Sequence, residues 1–480
     1  MKNQVQLITY VDRLTEGGGF RALRTLLATK LAGLFGGVHV LPFFDPIDGA
    51  DAGFDPKDHT TVDPRLGTWD EVRALAQDVE VMADVIVNHI SDDSPQFQDF
   101  QAHPSTSAYR DLFLTLDRVY PHGATAADLL AIYRPRPGLP FTAKTLANGQ
   151  RELLWTTFTP SQVDIDVTSA AGAQYLTAIL DQFARAHIKL IRLDAAGYVI
   201  KKPGTSCFML PETFDFIRTF TQHAHDRGME VLVEIHSHYQ TQIDIAAQVD
   251  WVYDFALPPL ILHALMARSA SALAHWMTIR PHNALTVLDT HDGIGIIDIG
   301  SDAQTRAPGL VADPELSALV DWIHGNAHDR SRTATGASAS NLDLYQINCT
   351  FFEALGCDAT RYVLARAVQF FVPGIPQVYY VGLLAGLNDM ALLARTQVGR
   401  DINRHTYSVA ELDAALATPV VQELCALIRL RNAHPAFNGA FQFTTPTAQT
   451  LQLSWSNGAH HAQLTVDFAA GTYAIHSSPI

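Results

Sequence analysis

The sequence predicts an α/β fold built around one parallel sheet of eight strands. Three observations indicate this fold. Short apolar runs recur along the chain, helical patterns lie between most of them, and polar residues follow several runs directly. Strands that alternate with helices in this way form a parallel barrel or a doubly wound sheet, and the pattern alone leaves both open.

Eight runs have the length and composition of strands that are buried on both faces. In chain order they are Val5–Tyr10, Gly37–Phe43, Val81–Asn88, Ile188–Asp194, Val231–His236, Trp251–Phe255, Ala284–Asp289 and Gln377–Val381. Apolar residues at helical spacing predict helices between them. These helices are Phe20–Leu34, Ala170–Ala186, Pro211–Asp226 and Thr360–Phe371.

Two connections are far longer than the rest. About 100 residues separate the third and fourth strands, and about 90 separate the seventh and eighth. Simple loops are much shorter, so we expect an inserted subdomain after strand 3 and another after strand 7. After Asn432 the pattern changes to short alternating runs, which predict a small C-terminal antiparallel β domain. The runs are Phe441–Thr444, Leu451–Trp455, Ala462–Val466 and Thr472–His476.

Composition narrows the class of protein. Of the 480 residues, 48% are hydrophobic and 17% are charged, which suits a globular chain, and the formal net charge is −16. Such a charge disfavours nucleic acid and anionic membranes as partners. The first residues contain no apolar run of signal-peptide length, and no run approaches the ~18 residues of a membrane helix. The four scattered cysteines are typical of reduced thiols, so we expect a cytoplasmic protein.

Three carboxylates lie at or just after the ends of predicted strands. Asp194 closes the fourth strand, Glu234 lies near the end of the fifth, and Asp292 follows the seventh. In a (β/α)8 barrel these ends meet on one face, where the active site lies. One carboxyl group that protonates a leaving oxygen and another that attacks the anomeric carbon carry out glycoside cleavage. Each acid alone is as well explained by a helix cap, but three at one rim favour catalysis.

The neighbours of these acids support that interpretation. Arg192 precedes Asp194 by two residues, so both side chains point to the same side of the strand. A cation there keeps a carboxylate ionised, as a nucleophile requires, although a structural ion pair in the barrel would look the same. His89 and His291 follow strands 3 and 7, and both are placed to donate hydrogen bonds to substrate hydroxyls.

Several segments resemble a known family. Asp84–His89 (DVIVNH), Ile191–Tyr198 (IRLDAAGY), Val231–His236 (VLVEIH) and Leu288–Asp292 (LDTHD) resemble the four signature segments of the α-amylase family in order, and Gln162–Asp166 resembles its fifth. Other stretches are similar to the sucrose phosphorylase branch of that family, over residues 1 to about 435. These are Gly49–Pro56, Tyr133–Phe141, Ala339–Gln346, Ala385–Met390 and Gly399–His405.

The resemblance implies a (β/α)8 TIM barrel with subdomains inserted after strands 3 and 7. The barrel would comprise residues 1–86, 169–292 and 358–435, with insertions at 87–168 and 293–357 and a C-terminal domain at 436–480. It implies that Asp194 is the nucleophile, Glu234 the general acid/base and Asp292 the residue that stabilises the transition state. The residues implied to hold the glucosyl ring are Asp51, Phe54, His89, Phe158, Arg192, Tyr198, His291 and Arg400. Those implied to bind phosphate or fructose are Arg136, His236, Leu344, Tyr345 and Gln346.

The implied reaction converts sucrose and inorganic phosphate into α-D-glucose 1-phosphate and fructose, without cofactor or metal, and a homodimer is left open. Three alternatives remain. A sibling phosphorylase would act on sucrose 6′-phosphate, glucosylglycerol or glucosylglycerate, but Leu342–Gln346 (LDLYQ) resembles the sucrose type. A hydrolase or transglucosylase would not need Arg136, Tyr345 and Gln346. A binding protein without activity would be expected to lack one of the three acids.

Overall fold

Eight parallel strands close into a barrel in the computed structural model, which describes residues 1–49, 51–136, 138–302, 305–335 and 346–479. Each strand pairs with its neighbours in sequence, and β8 pairs with β1, so the sheet has no open edge. The predicted (β/α)8 barrel is therefore confirmed, and a doubly wound sheet is excluded. The strands β1–β8 are Gln6–Thr9, Gly37–Val40, Glu80–Ile86, Leu190–Asp194, Glu230–Val233, Trp251–Asp254, Ala284–Thr286 and Ile375–Tyr379.

Helices that flank the barrel follow the apolar periodicity of the sequence. The first of them, α1, ends at Ala28 and not at the predicted Leu34. The amides of Thr29 and Leu31 both donate to the carbonyl of Leu26, and Gly33 has a φ of +73°, so tight turns lead the chain into β2. Helices α1–α9 are Phe20–Ala28, Trp69–Asp78, Ala170–Arg185, Pro211–His225, Tyr239–Ala246, Leu257–Ala267, Ser271–Ile279, Ala359–Phe371 and Pro419–Ala433.

The long connections carry their own short elements. After β3, strand His89–Ser91 pairs antiparallel with Gln162–Asp164, and the hairpin Phe141–Thr145/Arg151–Trp155 lies between them. After β7, Ile294–Gly295 pairs with Gln346–Ile347. Phe44–Asp45 pairs with Asp58–Val62 after β2. Further helices in these regions and after β8 are Pro95–Ala102, Leu116–Val119, Ala126–Ala131, Asp313–Asn326, Arg332–Thr335, Phe351–Ala354, Tyr380–Leu383, Met390–Thr396 and Val409–Leu416.

The end of the chain forms a four-stranded antiparallel sheet, as predicted. Strands β9–β12 are Ala440–Thr447, Thr450–Asn457, His460–Asp467 and Thr472–Ser477, each longer than its apolar run. The indole nitrogen of Trp455 donates to the carbonyl of Phe371 at 2.7 Å, which ties this sheet to α8. The residue numbers at which the domains divide stay a prediction. Among the described helices, none combines the length and the apolar character needed to cross a bilayer.

Polar side chains occupy the inside of the barrel below its carboxyl rim. The Gln377 amide donates to Gln6 Oε1 at 3.0 Å, and His39 Nε2 lies 2.9 Å from Asp84 Oδ2. Asp84 also accepts a hydrogen bond from Arg192 on the neighbouring strand, directly opposite it in register. Buried polar groups are tolerated when they are paired in this way. The layer supports Arg192 from below and fixes where its guanidinium lies.

Candidate active site

The ends of β4 and β5 place two carboxylates side by side. Leu193 is paired with Val233 in the parallel ladder, so Asp194 and Glu234 are the next residues along the two strands. The Glu234 amide donates to the Leu193 carbonyl at 3.2 Å and continues this register. Neighbouring strands lie about 4.8 Å apart. That spacing suits the roughly 5–5.5 Å between carboxyl groups in retaining glycosidases.

A sharp turn directly after Asp194 shapes the pocket beside it. Ala195 has a φ of +55°, in the left-handed region, and Ala196–Tyr198 form one turn of 3₁₀ helix. Strain of this kind is often found at functional sites. A Cβ on Gly197 would lie 2.7 Å from the Phe208 ring, so this position needs glycine. The turn brings Tyr198 into the wall of the pocket.

Arg192 is buried beneath the two carboxylates and contacts both. Its Nη1 lies 2.8 Å from Asp194 Oδ1, and its Nη2 lies 3.7 Å from Glu234 Oε1. Burial raises the pKa of Asp194 to about 8, with Glu234 and Asp84 adding to the effect and Arg192 opposing it. Arg192 lies nearer to Asp194 than to Glu234, so its charge acts against this rise and favours the ionised form of Asp194, which a nucleophile requires.

Asp292 lies across the pocket from this pair and stays ionised. Its Oδ1 is 2.8 Å from Arg400 Nη1 and 3.6 Å from His291 Nε2. Burial would raise the pKa of Asp292, but the charge of Arg400 above all, with those of His236 and Arg192, holds it below its usual value. A fixed negative charge here can stabilise the positive charge that develops on the sugar ring.

Asp51 lines the pocket and lies close to two arginines, of which Arg400 also lines it. Its carboxylate is 3.9 Å from Arg400 and 3.6 Å from Arg404. Burial acts to raise the pKa of Asp51, and the charges of Arg400, Arg404 and Arg136 together keep it lowered. Arg404 also donates to the carbonyl of His291 at 3.0 Å. The pocket lining therefore contains both carboxylates, which accept hydrogen bonds, and arginines, which donate them.

Aromatic rings line the remaining wall. Phe54 stacks on His291 with a centroid distance of 4.7 Å and an interplanar angle of 10°. Burial lowers the pKa of His291 to about 3, so this ring is neutral at physiological pH. Phe158 packs against His89 and Tyr198, with centroid distances of 5.2 Å to each. Aromatic faces of this kind suit the apolar faces of a sugar ring.

Comparisons with known proteins agree with this geometry. The family model of the α-amylase catalytic domain matches residues 33–257. Sucrose phosphorylase from Agrobacterium vitis is 61% identical, over 100% of this chain and 98% of its own length. This chain belongs to the sucrose phosphorylase branch of the α-amylase family. Sucrose phosphorylase from Bifidobacterium adolescentis is 54% identical, over 100% of this chain and 95% of its own. The crystal structure of sucrose 6F-phosphate phosphorylase from Thermoanaerobacter thermosaccharolyticum has a TM-score of 0.91 and 36% identity, covering 99% and 96% of the two chains.

The pocket of this family member brings together most of the residues named from the sequence. Its lining contains Asp51, Phe54, His89, Arg136, Phe158, Asp194, Tyr198, Glu234, His291, Asp292 and Arg400. Pro135, Gln162 and Ala195 also line it and were not predicted. Leu344 and Tyr345 lie outside the described residues. The site roles assigned to all these residues remain predictions.

Three other predicted residues lie behind the pocket surface. Arg192 is beneath the carboxylates, as described above. His236 is buried with its Nε2 3.8 Å from Glu234 Oε1. Gln346 is fully buried beside Gly295, and neither atom of its amide has a hydrogen-bond partner within the described part of the chain. A buried amide without partners is costly, which is consistent with a group that binds a ligand.

A lysine that the sequence did not single out lies at the joint between the barrel and the first insertion. The Lys201 ammonium is 2.7 Å from Asp164 Oδ2 and donates to Asn88 Oδ1 at 3.0 Å and to the Tyr198 carbonyl. Lys201 is thus surrounded by oxygen atoms of Asn88, Asp164 and Tyr198. Only its place after an apolar run, in IRLDAAGYVIK, hinted that this lysine would be buried.

One group of side chains in the described ranges could approach a metal ion. Donor atoms of Glu234, His236 and Asp292 lie within 4.8 Å of one another. Glu234 and Asp292 are the predicted catalytic acids, and His236 is engaged by another acid, so catalysis accounts for the cluster. The expected lack of a metal and of a cofactor stays a prediction.

Proposed function

We propose that this protein carries out the retaining phosphorolysis of sucrose, giving α-D-glucose 1-phosphate and fructose. The observation that carries the proposal is a pocket whose lining contains both the Asp194–Glu234 pair and Arg136. The pair supports double displacement at the anomeric carbon. The arginine, Arg136, supports an anionic acceptor. The activity named for the 61%-identical relative supports sucrose as donor.

In the first step Glu234 protonates the oxygen that links glucose to fructose, and Asp194 attacks the anomeric carbon. The C–O bond to fructose breaks, and a β-glucosyl ester forms on Asp194. Arg192 stabilises the ionised nucleophile, and Asp292 faces the positive charge of the transition state. Asp51, Arg400, His89 and His291 bind the ring hydroxyls, while Phe54, Phe158 and Tyr198 enclose the ring.

In the second step a phosphate oxygen attacks the same carbon, its proton passes to Glu234, and the ester bond between that carbon and Asp194 breaks. Phosphate must enter a site with several carboxylates in a chain of net charge −16, so a local cation is needed. Arg136 lines the pocket near enough to lower the pKa of Asp51. A guanidinium binds phosphate oxygens in a bidentate manner. We assign His236 and the amide of Gln346 to the acceptor side as well, while Leu344 and Tyr345, which the sequence predicts for it, lie outside the described residues.

The test is a reaction of the purified protein with sucrose and phosphate, followed by proton NMR. The expected first product is the α-anomer of glucose 1-phosphate, with fructose in equal amount. The β-anomer would exclude the double displacement. Free glucose as the main product would favour a hydrolase. Turnover only with sucrose 6′-phosphate, glucosylglycerol or glucosylglycerate would favour a sibling phosphorylase.

We also propose that the protein acts in the cytoplasm. All four cysteines are free, including the exposed Cys357, which supports a reducing compartment. Detection of the activity in the cytoplasmic fraction of the source cells tests this. A homodimer remains open, and light scattering in solution would decide it.

A further inference from the structure

His236 is held by a second acid behind the active site. Its Nδ1 lies 2.9 Å from Asp298 Oδ2, and both side chains are fully buried. The imidazole stacks on Phe255, with a centroid distance of 3.8 Å and an angle of 15°. These contacts leave the ring one orientation, with Nε2 turned toward Glu234 Oε1, 3.8 Å away.

Asp298 is itself fixed by neighbours that carry no charge. Its Oδ1 accepts a hydrogen bond from Gln242 Nε2 at 2.8 Å and one from the Ser237 amide at 3.3 Å. Among the described residues, His236 is the one titratable base within ion-pair distance of Asp298. The position of Gly295 preserves this contact, since a Cβ there would lie 2.0 Å from Asp298 Oδ2 and 3.0 Å from His236 Nδ1. The negative charge of Asp298 is therefore directed at one imidazole.

The charges around His236 favour its protonated form. Three carboxylates face it: Asp298 from the insertion after β7, Glu234 from the end of β5, and Asp292 from the loop that follows β7. The cations nearest to this group, Arg192 and Arg400, are paired with Glu234 and Asp292 respectively. Burial would lower the pKa of His236, but Asp298 in particular, with Glu234 and Asp292, raises it above its usual value.

We propose that Asp298 is a positioning residue for the phosphate half of the reaction, which holds His236 as an imidazolium directed at the acceptor side beside Glu234. A second positive charge, behind the pocket lining and next to Glu234, then attracts phosphate in addition to Arg136. Fructose is neutral and leaves with the proton of Glu234, so its departure does not need this charge. The inference rests on the proposed function. It explains how one acceptor site serves a neutral sugar and an anion.

The test replaces Asp298 by Asn, which keeps the size of the side chain and removes its charge. In a double-displacement reaction kcat/KM for each substrate reports its own half. We expect kcat/KM for phosphate to fall about tenfold at pH 7, a loss of about 1.4 kcal/mol. For sucrose we expect a change within about twofold. The substitution should lower the pKa of His236. In the pH profile of kcat/KM for phosphate, the decline at alkaline pH should therefore begin at lower pH, while the corresponding decline for sucrose should not move.

Gln242→Leu is the matched control, because it removes a hydrogen bond to the same carboxylate and leaves the charge. It should not move the alkaline decline of the phosphate profile. The inference would be overturned if Asp298→Asn reduced kcat/KM for sucrose and for phosphate equally, or if the alkaline decline of the phosphate profile did not move. If that variant does not fold, nitrogen NMR of His236 in the unaltered protein decides. A ring that is neutral at pH 7 contradicts the proposal. Lack of glucose 1-phosphate with the unaltered protein would instead refute the proposed function.

Discussion

Replacement of Asp194 by Asn separates the chemistry of this site from its stability. Asn has nearly the same size but cannot form a glycosyl ester. Arg192 would still donate a hydrogen bond to Asp84, so the buried guanidinium keeps an anionic partner and the fold should persist. We expect turnover to fall at least about 10³-fold, which corresponds to roughly 4.1 kcal/mol of lost transition-state stabilisation.

The assay is the initial rate of glucose 1-phosphate release from sucrose and phosphate. Circular dichroism and urea denaturation establish that the variant is folded. Mass spectrometry of acid-quenched protein should detect one added glucosyl group on Asp194 in the unaltered enzyme, and none in the variant. Substantial turnover by folded Asp194→Asn, or the glucosyl group on another carboxylate, would refute the assignment of Asp194 as nucleophile.

Three further outcomes follow from the geometry. Glu234→Gln should greatly slow sucrose cleavage but largely spare glucosylation by α-glucosyl fluoride, since fluoride needs little protonation to leave; comparison of the two rates checks this. Arg136→Ala should raise KM for phosphate more than KM for sucrose, and should increase the share of glucosyl-enzyme that is lost to water. Lys201→Met leaves the buried Asp164 with its hydrogen bonds from Thr157 but without a counter-ion, so the free energy of unfolding in urea should fall by about 3–5 kcal/mol.

Controls for these variants are present in the chain. Lys202 pairs with Glu212 at the surface, so Lys202→Met should change stability by less than about 1 kcal/mol. Equal effects of the two lysine variants would contradict the role of Lys201. Arg134 donates a hydrogen bond to the Gly138 carbonyl and, unlike Arg136, does not line the pocket that contains Asp194 and Glu234. Arg134→Ala should therefore leave the ratio of hydrolysis to phosphorolysis closer to that of the unaltered enzyme than Arg136→Ala does. If Glu234→Gln slowed the reactions of sucrose and of α-glucosyl fluoride equally, Glu234 would not be the acid that protonates the leaving group.

The sequence predicted those features of the site that arise within a single strand or helix. Asp194 and Arg192 share one strand, so their common side follows from the two-residue period of the strand. The contacts of Lys201 with Asp164 and Asn88, and of Asp298 with His236, join segments far apart in the chain. The spacing of apolar residues along the chain does not indicate which distant side chains come into contact in the folded barrel. The early end of α1 likewise depends on the turns at Thr29 and Gly33, which apolar spacing does not show.

The joint between barrel and insertion contains a cation that belongs to the chain itself. A metal ion in such a place would be in equilibrium with ions in solution, so its occupancy would follow their concentration. The ammonium of Lys201 is tethered four carbons from the backbone and cannot be diluted or removed by a chelator. Lys201 bridges Asn88 and Asp164, which lie next to His89 and close to Gln162. His89 and Gln162 both line the pocket. The shape of the pocket wall should therefore not depend on the concentration of metal ions in solution.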